Sequence, residues 1–429
     1  MPNEYIGLAF NIVAVAVFLF MLPLLDLKSK LFTSGLFGTG VIIHYAVGDS
    51  GIGLVEGITQ NMALLSILIL APLLSVPLRR EGMIDTVVSL LTDIKNNPRN
   101  TFYGISLFML TMAPILNMGA LRIVHGFIEG IKIPSKLLSR SYYVGFTPAV
   151  IWSPFFASVG IVIFYLDITY LSYFATGISF AIVQLVAGIL LFRPGKTTEV
   201  AAALEKEVRD REITTVKKTN IYILIGFVVL LVLLLITLEQ LLEKSMLLLV
   251  SIICIFVPLF WMLIRGNIKI CKEELSRYKS KMVSQKMEIC LFLSAGLFGN
   301  SISKTPIKQF LEQSIQWSAS QSIGILFLFI ILFVTLMAFV GVHQIIVVPL
   351  ILTSLNFAEL PNLAVSSVAF MCIFTWMLSS SISPLNALNI IISQCVKRNG
   401  VTVAFRWNGI YFGAITSLAF LYVYVLNWL

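Results

Sequence analysis

The chain has 429 residues, of which 58% are hydrophobic and only 12% are charged. Soluble domains carry roughly 25% charged residues, so this chain has too few charges to cover a surface that faces water. This excludes a soluble multidomain enzyme and a disordered or nucleic-acid-binding protein, although 30 Lys and Arg against 21 Asp and Glu give a net charge of +9. The five cysteines form no Cys-x-x-Cys pair, so we expect neither a metal centre nor a disulfide framework.

Apolar runs predict an all-α polytopic membrane protein. A helix needs about 20 apolar residues to cross the hydrocarbon. The first run carries no basic leader and no small-residue cleavage site, so it is predicted to be a retained span. Runs near the required length predict spans at about 5–25, 31–47, 59–78, 141–166, 168–192, 219–238, 245–264, 282–302, 362–393 and 403–428. The fold class is therefore about ten transmembrane helices, with two further apolar stretches at 101–131 and 322–355.

Basic residues orient these spans. Lys and Arg concentrate in alternate connections, which are cytoplasmic by the positive-inside rule. The connections on both sides of 101–131 are basic, whereas the segments that directly flank 322–355, around 314–321 and 356–362, carry no Lys or Arg. Each of these stretches is thus predicted to enter and leave by one face, the first from the cytoplasm and the second from outside. Both termini are predicted outside.

These two stretches are interpreted as re-entrant hairpins. Two arms of about 14 residues reach about 21 Å, which is short of a ~30 Å hydrocarbon core. Breakable turns lie near their centres, at 113–119 and 339–344. Kinked pairs of ordinary helices are the alternative. Non-helical backbone at this depth requires burial in protein or a wet cavity.

The order of elements repeats. Residues 1–192 give three spans, the hairpin 101–131, a Pro-interrupted span at 141–166 and a final span. After a cytoplasmic linker at 193–218, residues 219–429 give three spans, the hairpin 322–355, the interrupted span 362–393 and a final span. Because the two halves start on opposite faces, this is an inverted-topology repeat, an arrangement found in secondary transporters.

The interrupted spans carry the sharpest local signal. Ser153-Pro154 and Ser383-Pro384 each lie in a run of Ser, Thr and Asn. Proline removes a helical hydrogen bond, and the opened turn exposes a half-helix N-terminus that suits an anion and carbonyls that suit a cation. No Asp or Glu falls in the middle of a predicted span, which argues against a buried carboxylate proton relay. Helix ends, hydroxyls and amides instead favour an anion.

The candidate binding residues follow from the turns and the breaks. Arg122 is either an anion clamp or a side chain that snorkels to the interface, and His343 either binds substrate or is a buried neutral ring. A coupling Na⁺ is placed near Asn117, Thr147, Ser379 and Asn389. The substrate-binding candidates are Asn117, Gly119, Arg122, Ser153, Pro154, Ser158, Gly341, His343, Gln344, Ser381, Ser383, Pro384 and Asn386.

This constellation resembles the ion transporter superfamily, which includes divalent-anion/Na⁺ symporters, arsenite and NhaD-type permeases, and the large subunits of TRAP transporters. The resemblance rests on the inverted repeats, the tips at 117–119 and 341–344, and the breaks at Ser153-Pro154 and Ser383-Pro384. It implies that tips and breaks form substrate and cation sites, and that a homodimer moves its substrate domain like an elevator. The Ser-Asn-Thr tip motif of the dicarboxylate/Na⁺ branch is absent, with Leu116-Asn117-Met118 and Val340-Gly341-Val342 in its place.

The sequence thus predicts a non-enzymatic secondary transporter of a small organic carboxylate or oxyanion, coupled to Na⁺ or H⁺ and located in a bacterial plasma membrane. No cofactor is expected apart from Na⁺ as a coupling ion, and the expected partners are the anion, the bilayer and a second copy of the chain, with no nucleic acid. A lipid-linked sugar polymerase or ligase is one alternative, although its large charged external loop is not seen. The membrane subunit of a multi-component, TRAP-like transporter is the other.

Overall fold

The computed structural model describes residues 2–49, 51–81, 98–129, 133–192, 219–265, 273–274, 276, 278, 282, 285–355 and 363–428. The linker predicted at 193–218 lies outside these residues. Within them all regular structure is helical, and eight helices are long and apolar enough to cross a membrane. The prediction of an all-α polytopic membrane protein is confirmed.

In the first half, ten helices are described from end to end, and several of them join into longer spans. They are α1 (Pro2–Met21), α2 (Leu27–Ala46), α3 (Gly51–Thr59), α4 (Met62–Leu70), α5 (Ser75–Arg80), α6 (Pro98–Leu116), α7 (Met118–Ile128), α8 (Ser135–Trp152), α9 (Ala157–Leu166) and α10 (Tyr170–Leu191). Short 3-10 turns at Leu22–Leu24 and Ala71–Leu74 follow α1 and α4.

In the second half, nine helices are described from end to end, in a related order. They are α11 (Thr219–Leu242), α12 (Met246–Arg265), α13 (Lys286–Ile302), α14 (Pro306–Gln321), α15 (Ile323–Val340), α16 (Gln344–Thr353), α17 (Val365–Ile382), α18 (Ala387–Cys395) and α19 (Gly409–Trp428). A π-helical turn at Thr402–Trp407 precedes α19.

The two interrupted spans form the centre of the bundle. Ser135–Leu166 combines α8 and α9, and Val365–Cys395 combines α17 and α18. In the most apolar stretch of each, 78% of the residues are buried, against 33% for spans such as Tyr170–Leu191. Since α9 packs on α17 while α18 packs on α8, the two spans lie antiparallel. The interruptions occur where Ser153-Pro154 and Ser383-Pro384 predict them.

Both stretches fold as two helices joined by a turn, and the two helices of each are unequal. Their re-entrant path stays a prediction, since α15 alone is long enough to cross a membrane. The first hairpin has arms of 19 and 11 residues, α6 and α7, joined at Asn117. The second has arms of 18 and 10 residues, α15 and α16, joined at Gly341 to His343. The sequence-based expectation of two arms of about 14 residues is therefore wrong. The long arms reach about 27–28 Å and the short arms about 15–16 Å, because each turn lies beyond the centre of its stretch.

Three structural elements were not predicted. The third span breaks at Gln60 and Asn61, between α3 and α4, without a proline. Helix α14 is too polar for a span and connects α13 to the second hairpin. The π-helical turn is held by Arg140, whose Nε donates to the Trp407 carbonyl at 3.1 Å.

Helix ends in this bundle are capped by side chains from the same or another helix. The Glu239 carboxylate of α11, only 6% exposed, accepts from the backbone amides of Tyr170 and Leu171 at 2.9 and 3.4 Å. It thereby satisfies the start of α10, where a negative charge is favourable. Ser322 caps α15 in the ordinary way, by accepting from the Ile325 amide. These caps fix the helices that surround the two central spans.

Candidate functional site

The two helix interruptions, Ser153-Pro154 (the first break) and Ser383-Pro384 (the second break), are each hydrogen-bonded to a hairpin by one serine hydroxyl. At the first break, Ser153 Oγ donates to the Pro114 carbonyl at 3.0 Å, on the last turn of α6. At the second, Ser383 Oγ donates to the Ala338 carbonyl at 2.8 Å, on the last turn of α15. Both serines are fully buried. The two breaks therefore hold the ends of the two long hairpin arms in the same way.

The local backbone of the two breaks is also the same. The amides of Ser153 and Ser383 complete the last helical bonds of α8 and α17, each at 3.0 Å. Two residues further on, the amides of Phe155 and Leu385 donate to the serine hydroxyls at 3.3 Å. In each case a half-helix then begins, α9 or α18, and no side chain caps its N-terminus. Two uncapped helix N-termini thus lie inside the protein.

The first hairpin turns at one strained residue. Asn117 has a φ of 50°, which is uncommon for a residue other than glycine, and its side chain accepts from the Met118 amide at 2.8 Å. Asn117 and Gly119 are half-buried, and the position of a Cβ on Gly119 would meet open space. The start of the short arm α7 is therefore accessible.

The second hairpin turns through three residues. Gly341 has a φ of 96°, a conformation that favours glycine, and His343 Nδ1 accepts from the Ile345 amide at 3.2 Å. Gln344 then begins α16 with a fully buried side chain, whose Nε2 donates to Ser379 Oγ at 2.9 Å. Its Oε1 is buried without a hydrogen-bond partner. A buried acceptor without a partner lowers the stability of the folded protein unless a ligand, cation or water satisfies it.

The half-helices lie in parallel pairs. The short arm α7 packs on α18, and their far ends approach at the ion pair between Glu129 and Lys397, 4.0 Å apart. The short arm α16 packs on α9. Each pair thus combines a hairpin arm from one half of the chain with a broken span from the other half. The two halves are joined again by Tyr143, whose hydroxyl donates to the Ser381 carbonyl at 2.9 Å.

The backbone carbonyls at the two breaks already accept hydrogen bonds from side chains. The hydroxyls of Tyr173 and Tyr170 donate to the carbonyls of Ile151 and Trp152 at 2.9 and 2.8 Å, and Ser158 Oγ donates to Val150 at 2.9 Å. Asn389 Nδ2 donates to the Ser381 carbonyl at 3.0 Å. The expectation of bare carbonyls facing a cation does not hold for these groups, because side chains fill the bonds that proline removed.

The breaks differ in exposure. Phe155 and Phe156 are 1% and 4% exposed, and Pro154 is buried. At the second break Leu385 is 57% exposed and Pro384 is half-buried, while Asn386 is 5% exposed. The Leu385 side chain lies 3.7 Å from the Cβ position of Gly341. The second break is therefore accessible beside the second hairpin turn, and the first is sealed.

The four residues predicted to surround Na⁺ have different neighbours. Thr147 Oγ1 donates to the Tyr143 carbonyl, and Asn389 Oδ1 accepts from Ser393 at 2.8 Å. Ser379 Oγ bonds Gln344 and the Trp376 carbonyl, whereas Asn117 lies on the other hairpin. Of this set, Ser379 and Thr147 each bond to a buried glutamine, Gln344 and Gln184, whose Oε1 has no hydrogen-bond partner.

A buried polar cluster around Thr147 was not predicted. Gln184 Nε2 donates to Thr147 Oγ1 at 2.8 Å, and the Tyr411 hydroxyl lies 3.0 Å from the same oxygen. Gln184 Oε1 is buried without a partner. Gln184 is the only glutamine in the apolar run 170–191, and a lone amide within a span is itself a signal of a polar contact.

The remaining candidates lie around these turns. Ser381 Oγ donates to the Met377 carbonyl at 2.7 Å and so faces its own helix. Arg122 is exposed on α7, two turns before Glu129. The structure describes two cavities, of about 200 and 500 Å³, and neither is lined by a predicted site residue. In the described part of the chain, no three His, Cys, Asp or Glu side chains are grouped to hold a metal.

Comparisons with known proteins identify no family for this chain. No protein-family model matches the chain, and no curated protein matches it. Among solved structures, the chain is similar to the crystal structure of the YdaH transporter of Alcanivorax borkumensis, which is described as having an unusual topology. The two are 13% identical, with a TM-score of 0.40 over 96% of this chain and 98% of that chain.

Proposed function

We propose that the protein is a secondary active transporter of a small organic carboxylate or oxyanion. The observation that carries the proposal is the pairing of two broken spans with two hairpin turns inside the bundle. Four half-helices, α7, α9, α16 and α18, begin at these turns and breaks. Helix N-termini carry partial positive charge and donate from their amides, so this arrangement favours an anion.

The second break is the better candidate for the anion site. The start of α18 has no side-chain cap, and the break is accessible beside Gly341. Hydrogen-bond donors and acceptors are supplied around it by the side chains of Asn386, His343 and Gln344. At the first break Phe155 and Phe156 bury the corresponding helix start. We therefore assign substrate contact chiefly to the second break and its hairpin, and a supporting role to the first.

Coupling to Na⁺ or H⁺ belongs to the same proposal. The unpartnered Oε1 of Gln344, beside Ser379, is the oxygen that a cation would satisfy. Na⁺ is bound by oxygens of this neutral kind at opened helices in transporters. A cation there would also hold the start of α16 against α17, which links cation binding to the position of the second hairpin.

The elevator motion, the homodimer and the membrane orientation are proposed on the same grounds. The hairpins pack on the broken spans, α6 on α8 and α15 on α17, whereas α13 packs on α2 and α3. These groupings are compatible with a moving unit and a scaffold. The distribution of basic residues would place the ends of α7 and α18 in the cytoplasm of a bacterial plasma membrane.

The test is uptake of radiolabelled anions by proteoliposomes that contain the full chain. We expect accumulation that depends on an inward Na⁺ or H⁺ gradient. Asn386→Leu keeps the side-chain volume but removes the amide at the start of α18, and it should lower uptake at least about tenfold, the factor for about 1.4 kcal/mol of lost binding. Phe156→Leu, at the equivalent position of the first break, is the matched control and should retain uptake.

The results separate the possibilities. No gradient-driven uptake of any anion in the panel would contradict the proposal. Uptake that survives Asn386→Leu but not Phe156→Leu would move the site to the first break. The variant Gln344→Leu should remove cation stimulation, and uptake that remains equally stimulated would exclude this residue from coupling.

A further inference from the structure

The start of α8 and the turn before α19 meet at one edge of the bundle. Both helices belong to spans that are long and apolar enough to cross a membrane, Ser135–Leu166 and Gly409–Trp428. The π-helical turn Thr402–Trp407 lies just before the second of these spans and packs on α8. Asn408 Nδ2 donates to Ser139 Oγ at 3.3 Å, which fixes this contact. Because two spans begin here, this edge lies at the boundary between the bilayer and water.

Arg140 is the central cation of this edge. Its Nε donates to the Trp407 carbonyl of the π-helical turn at 3.1 Å, and its side chain is half-buried. A guanidinium carries five N–H donors, so one bond to a carbonyl leaves most of them unused. Among the described residues, no carboxylate pairs with Arg140. A half-buried cation without a counter-charge lowers the stability of the folded protein, and a bound anion removes this penalty.

Two further cations flank Arg140. Lys136 lies four residues earlier on α8 and therefore on the same helix face, and Arg406 lies in the π-helical turn, one residue before the carbonyl that Arg140 holds. Both side chains are exposed, and neither forms an ion pair with a described residue. Glu129, the acid at the end of α7, lies 4.0 Å from Lys397 instead. Within the described part of the chain, three cations thus lie together without a neutralising carboxylate.

Exposed apolar side chains adjoin these cations. Phe405 and Ile410 are exposed on either side of Arg406 along the chain. Ile410 lies about one helical turn after Arg406, and Gly413 continues the exposed face of α19, with open space at its Cβ position. An acyl chain needs such a surface, whereas a soluble anion does not. Cations at the head of an exposed apolar helix face are typical of a phospholipid site at a membrane boundary.

We propose that this edge binds an anionic phospholipid, with its headgroup held by Lys136, Arg140 and Arg406. The planar guanidinium of Arg140 presents paired donors, a geometry that suits the oxygens of a phosphate. Arg406 contacts the same phosphate from the π-helical turn, and the acyl chains lie along α19 over Ile410 and Gly413. A zwitterionic lipid is disfavoured, because its ammonium group would lie among three cations.

The lipid site is separate from the proposed substrate site but touches the same elements. The π-helical turn also packs on α18, the half-helix that follows the second break. The ring of Phe405 lies 6.2 Å from the ring of Phe339, near the second hairpin turn. A lipid at Arg406 therefore contacts the turn that supports both parts of the second break. Its binding does not depend on what the protein transports, so the inference goes beyond the proposed function.

The experiment measures bound lipid on the purified full-length protein. The protein is freed of native lipid in a neutral detergent and mixed with equal amounts of phosphatidylglycerol and phosphatidylcholine that carry the same acyl chains. Native mass spectrometry then counts the lipids retained. We expect phosphatidylglycerol to be retained at least about tenfold in excess, because no ammonium group offsets its charge. Glycerol phosphate in excess should not displace it, since that anion has no acyl chains.

Single-charge variants locate the headgroup. Arg406→Gln removes a cation from an exposed position and should lower the retention of phosphatidylglycerol about fivefold, whereas Arg406→Lys should keep most of it. Arg140→Gln should lower retention further, and because it also removes the bond to Trp407, the folding of this variant is checked by its elution profile. Lys244→Gln is the matched control and should leave retention unchanged, because Lys244 lies between α11 and α12, beside the far end of α9.

Three outcomes would overturn the proposal. Equal retention of the two lipids would exclude a site for anionic lipid, and an equal loss in Arg406→Gln and Lys244→Gln would show attraction by net charge alone. Displacement by glycerol phosphate would assign the cations to a soluble anion. The uptake test is independent of these results, because the measurement contains no transport step.

Discussion

The two breaks have the same backbone conformation but differ in the side chains that surround them. Ser153 and Ser383 make equivalent bonds to the two hairpins. Around the first break, two tyrosine hydroxyls donate to the backbone carbonyls, and two buried phenylalanines exclude solvent. Around the second break, Asn389 donates to the Ser381 carbonyl, and Leu385 is 57% exposed. The comparison shows that the shared backbone follows from the Ser-Pro sequence, whereas the exposure of each break depends on the side chains that surround it.

The largest expected effect comes from placing a charge at equivalent positions of the two breaks. Phe155→Asp puts a carboxylate at a site that is 1% exposed, and we expect a loss of about 3–5 kcal/mol of stability because the charge has no partner. Leu385→Asp puts the same group at a site that is 57% exposed, where it displaces no buried packing and should destabilise the protein less. Thermal unfolding in detergent, followed by size-exclusion chromatography, measures both. Equal destabilisation would show that the breaks do not differ in the way described.

The next effect concerns the carbonyls left unbonded where α8 and α17 end at the breaks. Tyr170→Phe removes the hydroxyl that donates to the Trp152 carbonyl, and an unpaired buried carbonyl costs about 1–3 kcal/mol. Tyr143→Phe removes a similar bond to the Ser381 carbonyl, but Asn389 Nδ2 still donates there at 3.0 Å. We therefore expect Tyr143→Phe to lower the unfolding temperature less than Tyr170→Phe. The reverse order would mean that the second break is the more dependent on its tyrosine.

The sequence predicted the breaks well because their cause is local. Proline removes a hydrogen bond wherever it lies in a helix, so Pro154 and Pro384 locate the interruptions without any tertiary information. The turns near Asn117 and Gly341 were located for a similar reason, since Asn and Gly tolerate a positive φ. The unequal arms were missed because the apolar stretches were divided at their centres.

Other features depend on contacts that are distant in the sequence. The break at Asn61 has no proline and is accompanied by a bond to Phe292, 231 residues away. The carbonyls at the first break depend on the hydroxyls of Tyr170 and Tyr173, which in the sequence look like ordinary aromatic residues of a membrane span. The π-helical turn before α19 is held by Arg140 from the other half of the chain. Sequence patterns record such tertiary bonds only as isolated polar residues, of which Gln184 is an example.

The smallest expected effect tests what holds the half-helix after the second break to the short arm of the first hairpin. Lys397 and Glu129 join the ends of α18 and α7, but their nitrogen and oxygen are 4.0 Å apart and both side chains are exposed, 81% and 61%. Such a pair contributes little, so Lys397→Gln should change the stability by less than about 0.5 kcal/mol in a thermal or denaturant titration. Lys397→Arg, which retains the charge, is the control and should be indistinguishable from the unaltered protein. A loss of about 2 kcal/mol in Lys397→Gln alone would show that charge rather than packing fixes α7 on α18. In that case the position of α18 after the second break would depend on an exposed charge pair, whereas buried hydroxyls of Tyr170 and Tyr173 bond the first break.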